Sequence, residues 1–274
     1  MISVVEAKGT KIPSIGLGTM TLKDEVCVEA VSAALKMGYR HLDTATFYAN
    51  EAEVGEGIRK SGVSREEIFL TTKVRHSDLA PGAFEAAIEA SLKQLGLTYV
   101  DLLLIHWPNP AIPPSAYIPG LCKAKRNGQA KNIGVANFTI ALLDEAERLA
   151  DEPLINNQIE VHPFLDQNTI LADCERRGIS VTAYCPLGRG RIPGHAVLDR
   201  IAKGYNKTEA QIALRWLVQQ GLMAIPRTAT PEKMKLNIDI FDFKLSEAEM
   251  TEIGTLAEPN GRLINPPQAP KWDI

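Results

Sequence analysis

The segment "IFLTTKVRHSDLAPGAFEAAIEASLKQLGLTYVDLLLIHW" occupies residues 68–107 and decides the predicted fold. Two apolar stretches within it, 68–74 and 100–107, have the length of buried strands. Between them the sequence predicts a helix that starts at Pro81, carries its apolar side chains on one stripe and ends at Gly96. A strand, a helix and a second strand in this order form the unit from which parallel α/β sheets are built.

This alternation of strand and helix recurs along the whole chain. Strands are predicted at residues 14–18, 39–42, 68–74, 100–107, 131–137, 155–161, 179–184 and 221–226. Helices are predicted at residues 24–37, 51–61, 81–95, 115–127, 139–150, 167–177, 208–220, 231–238 and from Ser246 onwards. Strands and helices that alternate in this way predict an α/β fold whose parallel sheet closes into a (β/α)8 TIM barrel.

Both ends of the chain add to this barrel. The first residues predict a β-hairpin that turns at Lys8 and Gly9 and closes the bottom of the barrel, and the last two helices are additional to the repeat. Because neither a linker nor a change of composition interrupts the pattern, residues 1–274 are expected to form a single domain.

Composition narrows the classes of function. A net charge of −3 without a basic cluster argues against nucleic acid as a partner, and the longest apolar run, at 102–105, is too short to span a membrane. The N-terminus shows no secretory signal and the four cysteines are scattered, which favours a cytoplasmic protein with reduced thiols. Five scattered histidines give no support to a metal site.

Polar residues stand where three successive strands end. Asp43 follows the second strand, with Tyr48 in the adjoining loop, Lys73 lies at the end of the third strand, and His106 at the end of the fourth. Since the carboxyl ends of barrel strands meet on one face, these four side chains are expected to lie together. Any one of them alone has a structural explanation, such as a turn, a helix cap or a core aromatic, but all four at one rim favour a site.

The four residue types suit the protonation of a carbonyl oxygen. Asp43 is expected to hold Lys73 as a cation, and the cation is expected to lower the pKa of Tyr48, which makes the phenol a usable acid. His106 would orient the carbonyl. The reaction then needs a source of electrons, and hydride from a nicotinamide is the natural one.

Two other functions use the same residues. Lys73 at a barrel strand end is also the type of group that forms a Schiff base in aldolases, although its pairing with Asp43 argues against a neutral amine. A cofactor-binding module that reports redox state with little turnover is the second alternative.

The chain resembles the aldo-keto reductase family over nearly its whole length. The resemblance rests on "GLGT" (16–19), "GYRHLDTATFYANE" (38–51), "TTKV" (71–74), "LLLIHWP" (102–108), "IGVANF" (133–138), "NQIEVHP" (157–163), "AYCPLG" (183–188) and "IPRTATPEKMKLN" (225–237). Within the family it is similar to the compact bacterial branch of 2,5-diketo-D-gluconate and methylglyoxal reductases. The resemblance implies that Asp43, Tyr48, Lys73 and His106 form the catalytic tetrad, with Tyr48 as general acid, and that the protein is a monomer.

The resemblance also implies NADPH bound across the top of the barrel. Its ring would stack on Tyr184, its carboxamide would meet Asn137 and Gln158, and residues 186–194 would cross the pyrophosphate. Arg227 suits a ribose 2′-phosphate, which favours NADPH over NADH. The full set of expected cofactor-binding residues is Thr19, Asn137, Gln158, Tyr184, Pro186, Leu187, Gly188, Arg189, Arg191, Arg227, Thr228, Thr230, Lys233 and Asn237. Solvated surface arginines are the alternative for Arg189 and Arg191.

Several positions depart from the pattern of the family. Ala136 replaces a usual serine, Lys233 an arginine, and Leu236 a frequent glutamate, so NADPH is expected to bind less tightly than in the strongest binders of the family and NADH with lower affinity still.

The substrate pocket is expected to be lined by Met20, Phe47 and Trp107, with Trp272 of the C-terminal segment nearby. The loop at 108–120 is short, which favours small polar carbonyl compounds.

Overall fold

The computed structural model describes residues 2–273. A two-stranded antiparallel hairpin, formed by β1 (Val4–Ala7) and β2 (Thr10–Pro13), precedes the main sheet. The main sheet consists of β3 (Leu17–Gly18), β4 (His41–Asp43), β5 (Phe69–Val74), β6 (Val100–Ile105), β7 (Ala130–Ala136), β8 (Leu154–Glu160), β9 (Ser180–Tyr184) and β10 (Met223–Ala224). Each strand pairs in parallel with its neighbours in chain order.

The first and last strands of this sheet meet and close it into a barrel. Ala224 N donates to Ser14 O at 2.8 Å, and Gly16 N donates to Ala224 O at 2.9 Å. A parallel bridge between Ile15 and Ala224 continues the same ladder. The predicted (β/α)8 TIM barrel with its N-terminal hairpin is therefore confirmed.

The helices lie outside the strands. They are α1 (Asp24–Lys36), α2 (Glu51–Ser61), α3 (Ala83–Leu95), α4 (Ile118–Arg126), α5 (Ile140–Leu149), α6 (Asn168–Arg177), α7 (Ala196–Tyr205), α8 (Glu209–Gln219), α9 (Pro231–Ile238) and α10 (Glu247–Gly254). Local sequence explains several ends: α3 stops at Gly96, which takes a left-handed conformation with φ of 67°. Thr208 and Gln211 form a reciprocal capping box at the start of α8.

The sequence-based prediction missed helix α7. The glycines and proline at 188–194 indicate a loop, and the sequence-based prediction extends this loop over the residues that follow. These residues contain the apolar stripe of a helix, since Leu198, Ile201 and Ala202 are buried. Two strands are also shorter than predicted, because β3 begins at Leu17 and β10 covers two residues.

Two groups of buried apolar residues hold the barrel together. The larger one fills the space between the sheet and the helices. The smaller one lies inside the barrel and consists of Ala7, Ile12, Phe69, Leu102, Leu104, Ala136, Ile155 and Met223. Because Ala7 and Ile12 belong to the hairpin, the hairpin fills the bottom of the barrel. Burying a side chain of the size of Ile12 contributes about 1.5–3 kcal/mol.

Candidate active site

The tops of β4, β5 and β6 bring four polar side chains together. Asp43 is the last residue of β4, Lys73 lies near the end of β5, and His106 directly follows β6. Tyr48 ends a single helical turn, Thr46–Tyr48, in the loop after β4. The structure therefore places all four predicted residues at one rim.

Lys73 is the centre of this group, and its side chain is fully buried (0% exposed). Its Nζ donates to Asp43 Oδ1 at 2.6 Å and to the carbonyl oxygen of Thr44 at 2.8 Å. The third contact, at 3.3 Å, is with the hydroxyl of Tyr48. These acceptors match the three protons of an ammonium group and leave no lone pair for attack on a carbonyl carbon.

The charge of Lys73 depends on Asp43. Burial lowers the pKa of Lys73, and the attraction of the Asp43 carboxylate opposes that shift. The second oxygen of Asp43 accepts from Gln158 Nε2 at 2.7 Å, so the carboxylate is satisfied on both sides. A buried ion pair with complete hydrogen bonds is rigid, because moving either partner would leave a charge without compensation.

The pKa of Tyr48 is shifted in the direction opposite to the prediction. Burial raises the pKa of the phenol well above its usual value, and the Asp43 carboxylate adds to this rise. The residue is partly exposed, but dense packing around the ring still makes the phenolate costly to solvate. The ammonium of Lys73, 3.3 Å from the hydroxyl, offsets part of that cost without reversing the rise of the pKa. Tyr48 therefore keeps its proton at neutral pH, as a proton donor must.

His106 stands edge-on to the ring of Tyr48, with centroids 5.6 Å apart and the planes at 81°. Burial, followed by the charges of Lys73 and His76, lowers the pKa of His106 well below its usual value. The imidazole is therefore neutral at physiological pH. A neutral ring carries one N–H donor, and this donor suits a carbonyl oxygen held beside Tyr48.

Four of the predicted cofactor-binding residues form hydrogen bonds with the tetrad or with one another. Thr19 Oγ1 donates to Asp43 O at 3.0 Å, and Gln158 supports Asp43 as described above. Asn137 Nδ2 donates to His106 O at 2.9 Å, and its Oδ1 accepts from the hydroxyl of Tyr184 at 2.8 Å. The half-buried ring of Tyr184 thus lies at the end of β9, next to the tetrad.

The loop between β9 and α7, residues 186–194, places its two arginines differently. Arg189 is exposed and has a left-handed backbone with φ of 48°. Arg191 pairs with Glu258 at 2.5 Å and stacks over the ring of Phe164, with its Cζ 4.5 Å from the centroid. Arg191 therefore attaches the loop to the C-terminal part of the chain. Of the other predicted residues here, Pro186 and Gly188 are buried and Leu187 is half-buried.

A third group surrounds the start of α9. Arg227, Thr230 and Lys233 are exposed, whereas Thr228 and Asn237 are buried. Thr228 Oγ1 accepts from the amide of Thr230 at 3.0 Å. Within residues 2–273, no carboxylate oxygen lies within 4.0 Å of the charged nitrogens of Arg227 or Lys233. Two unpaired cations beside a helix N-terminus suit phosphate, and Glu232 in the first turn of α9 is the acid that opposes them there.

Comparison with known proteins identifies the family. The sequence profile of the aldo/keto reductase family matches residues 14–258. The chain belongs to the aldo/keto reductase family. It is 43% identical over 253 residues to an aldo-keto reductase of Mycobacterium sp. (strain MCS), an alignment that covers 91% of this chain and 89% of that one. It is 38% identical over 266 residues to the methylglyoxal reductase DkgB of Escherichia coli O157:H7, with 96% and 99% covered.

Similar solved structures agree with this assignment. A protein whose assignment as a 2,5-diketo-D-gluconic acid reductase B is provisional superposes with a TM-score of 0.98 at 42% identity, over 100% of this chain and 98% of that one. An aldo-keto reductase of Bombyx mori in complex with NADP superposes with a TM-score of 0.88 at 35% identity, over 94% and 93%.

Of the apolar residues predicted to line the pocket of this aldo/keto reductase, Phe47 and Trp107 lie closest to the tetrad residue His106. Phe47 lies next to His106, with ring centroids 6.2 Å apart, and is 59% exposed; Met20 is 40% exposed. Trp107 is buried and meets the ring of Trp272 edge-on, with centroids 6.0 Å apart. Phe47 is an exposed apolar side chain beside the tetrad, a residue type that often lines small-ligand sites, and Met20 follows Thr19, which donates to Asp43 O.

The sequence-based analysis missed a fully buried acid at the end of a strand of this aldo/keto reductase. Glu160 ends β8 and is fully buried, and it binds backbone amides of the C-terminal segment. The signal that could have found it is the one that found Asp43, an acid at the end of a buried strand.

Residues 2–273 contain neither a helix that could span a membrane nor a cluster of metal ligands. Across the described residues, every helix is too short or too polar to cross a bilayer. Over the same residues, no three His, Cys, Asp or Glu side chains converge as ligands.

Proposed function

We propose that the protein reduces small aldehydes and ketones to alcohols with NADPH, and that Tyr48 donates the proton. The observation that carries this proposal is the buried ammonium of Lys73, held between the Asp43 carboxylate and the hydroxyl of Tyr48, with the neutral ring of His106 against the same phenol. Family membership supports carbonyl reduction, and the names of the relatives support small substrates.

Each tetrad residue has one part in the reaction. NADPH, when bound, supplies the hydride that becomes the new C–H bond of the alcohol. His106 donates its N–H to the carbonyl oxygen and fixes its position beside Tyr48. Tyr48 transfers its proton to that oxygen, and Lys73 stabilises the phenolate that is left until a proton from solvent restores it. Asp43 keeps Lys73 charged and in place.

The residues of the chain fit NADPH chemically. Gln158 donates to Asp43 through Nε2, which leaves its carbonyl oxygen as an acceptor for the amide of the nicotinamide. Arg189, Arg227 and Lys233 are exposed cations that suit phosphate groups. Ala136 lacks the hydroxyl that a serine would offer, and Leu236, 41% exposed, adds no charge, so moderate affinity and some use of NADH fit this site.

Arg227 should decide between the two cofactors. Replacing Arg227 by Ala removes the guanidinium that we assign to the 2′-phosphate, and a charged hydrogen bond of this type contributes about 1.5–3 kcal/mol. We expect the Kd for NADPH to rise about tenfold or more, and the Kd for NADH to change little. Titration by quenching of protein fluorescence measures both. Lys235→Ala, which removes an exposed cation from the neighbouring helix α9, is the matched control. Equal weakening of both cofactors would show that Arg227 does not read the 2′-phosphate.

The substrate class follows from the relatives and the short loop at 108–120. We infer small polar carbonyl compounds of the methylglyoxal or 2,5-diketo-D-gluconate type. The test is a panel of such compounds with NADPH and with NADH, followed by the absorbance of the reduced nicotinamide. Turnover with NADPH supports the proposal. Tight NADPH binding without turnover would favour a redox-sensing module, and a covalent adduct trapped on Lys73 by borohydride would favour an aldolase.

Three further proposals concern the protein as a whole: one domain over residues 1–274, a monomer, and a cytoplasmic location. A single cooperative unfolding transition and elution at the mass of one chain would support the first two, and cell fractionation tests the third.

A further inference from the structure

The end of β8 carries a carboxylate that the proposed reaction does not use. Glu160 is 0% exposed. Its Oε1 accepts from the amide of Leu263 at 2.7 Å and lies 3.0 Å from Nε2 of His162. Its Oε2 accepts from the amide of Ile264 at 2.9 Å. Both oxygens are therefore committed, and their main partners are backbone groups of residues 261–273, here called the C-terminal tail.

This position connects the tail to the tetrad. Gln158 and Glu160 are two residues apart on one strand, so their side chains point to the same side of the sheet. Gln158 binds Asp43, and Glu160 binds the tail. The start of the tail is also close-packed: a Cβ at Gly261 would lie 1.8 Å from Phe164 O, so only glycine fits there.

Beyond Glu160 the tail leads to the wall of the pocket. The guanidinium of Arg262 lies over Trp272, with Cζ 3.7 Å from the ring centroid. Trp272 meets Trp107 edge-on and donates to Asn265 Oδ1 at 2.9 Å. Trp107 follows His106 in the chain, so Trp272 packs against the segment that carries the histidine of the tetrad.

We propose that Glu160 is a positioning residue of the carbonyl pocket: by holding the amides of Leu263 and Ile264, it sets where Trp272 closes the pocket against Trp107. The inference rests on the proposed function for its kinetic part, because it assumes that a carbonyl compound occupies this space. Glu160 does not touch the reacting atoms and acts through the tail.

Replacement of Glu160 by Gln tests this role. Glutamine has one acceptor oxygen and would present its NH₂ group to a backbone N–H, so one of the two tail amides loses its partner. We expect hydrogen exchange of the tail peptide to accelerate about tenfold, the effect of losing one hydrogen bond to a charged group. For aromatic aldehydes large enough to reach Trp272, we expect KM to rise by about the same factor, with little change for methylglyoxal and a smaller change in kcat.

Two further variants separate positioning from a general structural role. Glu160→Asp keeps both carboxylate oxygens and should restore part of the protection of the tail. Glu252→Gln alters an exposed pair with Arg200 and should change neither exchange nor KM. A purely structural role would instead lower the melting temperature and affect all substrates alike.

A double variant tests the route through Trp272. In a Trp272→Ala background the wall is already gone, so Glu160→Gln should add no further rise in KM for the large aldehydes. The proposal is overturned if tail exchange is unchanged, if all substrates respond equally, or if the two substitutions are additive. If the wild-type protein reduces no carbonyl compound, the proposed function fails, and tail exchange still shows whether Glu160 positions the tail.

Discussion

Tyr48→Phe should lower kcat for carbonyl reduction by about a thousandfold, within the range that general acid catalysis contributes. Phenylalanine keeps the ring that stands edge-on to His106 but has no proton to transfer. The Kd for NADPH should stay nearly unchanged, because the predicted cofactor contacts do not use the phenol. Single-turnover kinetics and a fluorescence titration on the same sample separate the two quantities.

The matched control for this variant is Tyr205→Phe. This substitution also removes a tyrosine hydroxyl that has a defined partner, because the Tyr205 hydroxyl donates to Glu249 at 2.6 Å. Tyr205 lies at the end of α7, away from the tetrad. It should retain the activity of the wild type. If Tyr48→Phe kept most of its activity, another group would have to be the acid, and the mechanism proposed here would fall.

Lys73→Met should lower the rate and also move the pH profile. Methionine leaves the Asp43 carboxylate without its cation, and the carboxylate already raises the pKa of Tyr48. The pKa of the phenol should therefore rise further, so the alkaline decline in kcat/KM should shift to higher pH. Loss of a donor that stabilises the developing phenolate should lower kcat about 10²–10³-fold.

The same substitution should destabilise the protein, by about 3–5 kcal/mol, because it leaves a buried charge unpaired. Asp43→Asn combined with Lys73→Met removes that charge, and this double variant should recover much of the stability without recovering activity. Denaturant unfolding and pH–rate profiles measure the two effects. An unchanged alkaline limb in Lys73→Met would exclude Lys73 from tuning Tyr48.

The sequence predicts the location of the site well because, in a barrel of parallel strands, the order of strands along the chain fixes which residues are neighbours in space. Parallel strands end at one face, so acids, bases and imidazoles at the ends of successive strands must meet there. The placement of Asp43, Lys73 and His106 needs only the positions of three strands. Errors of one or two residues in the strand limits do not change that result.

The properties of the site that the sequence does not predict are those that depend on the burial of a side chain or on contacts with residues distant in the chain. The sequence predicts a lowered pKa for Tyr48 because it shows a neighbouring lysine, whereas the burial that raises this pKa depends on packing that the sequence does not show. Arg191 has the charge of a phosphate ligand, but Glu258 and Phe164, both distant in sequence, already hold it. Glu160 ends a buried strand as Asp43 does, but its role could not be predicted, because its partners are backbone amides about a hundred residues away in the chain.

The N-terminal hairpin has a practical consequence for engineering. Its turn is exposed and has φ of 45° at Lys8 and 84° at Gly9. The hydroxyl of Thr10, the next residue, donates a hydrogen bond to Asn132 near the start of β7. The turn thus lies at the end of the barrel opposite Tyr48. A foreign peptide grafted between residues 8 and 9 would project into solvent there, so this reductase offers an insertion point for reporters or surface anchors that is remote from its chemistry.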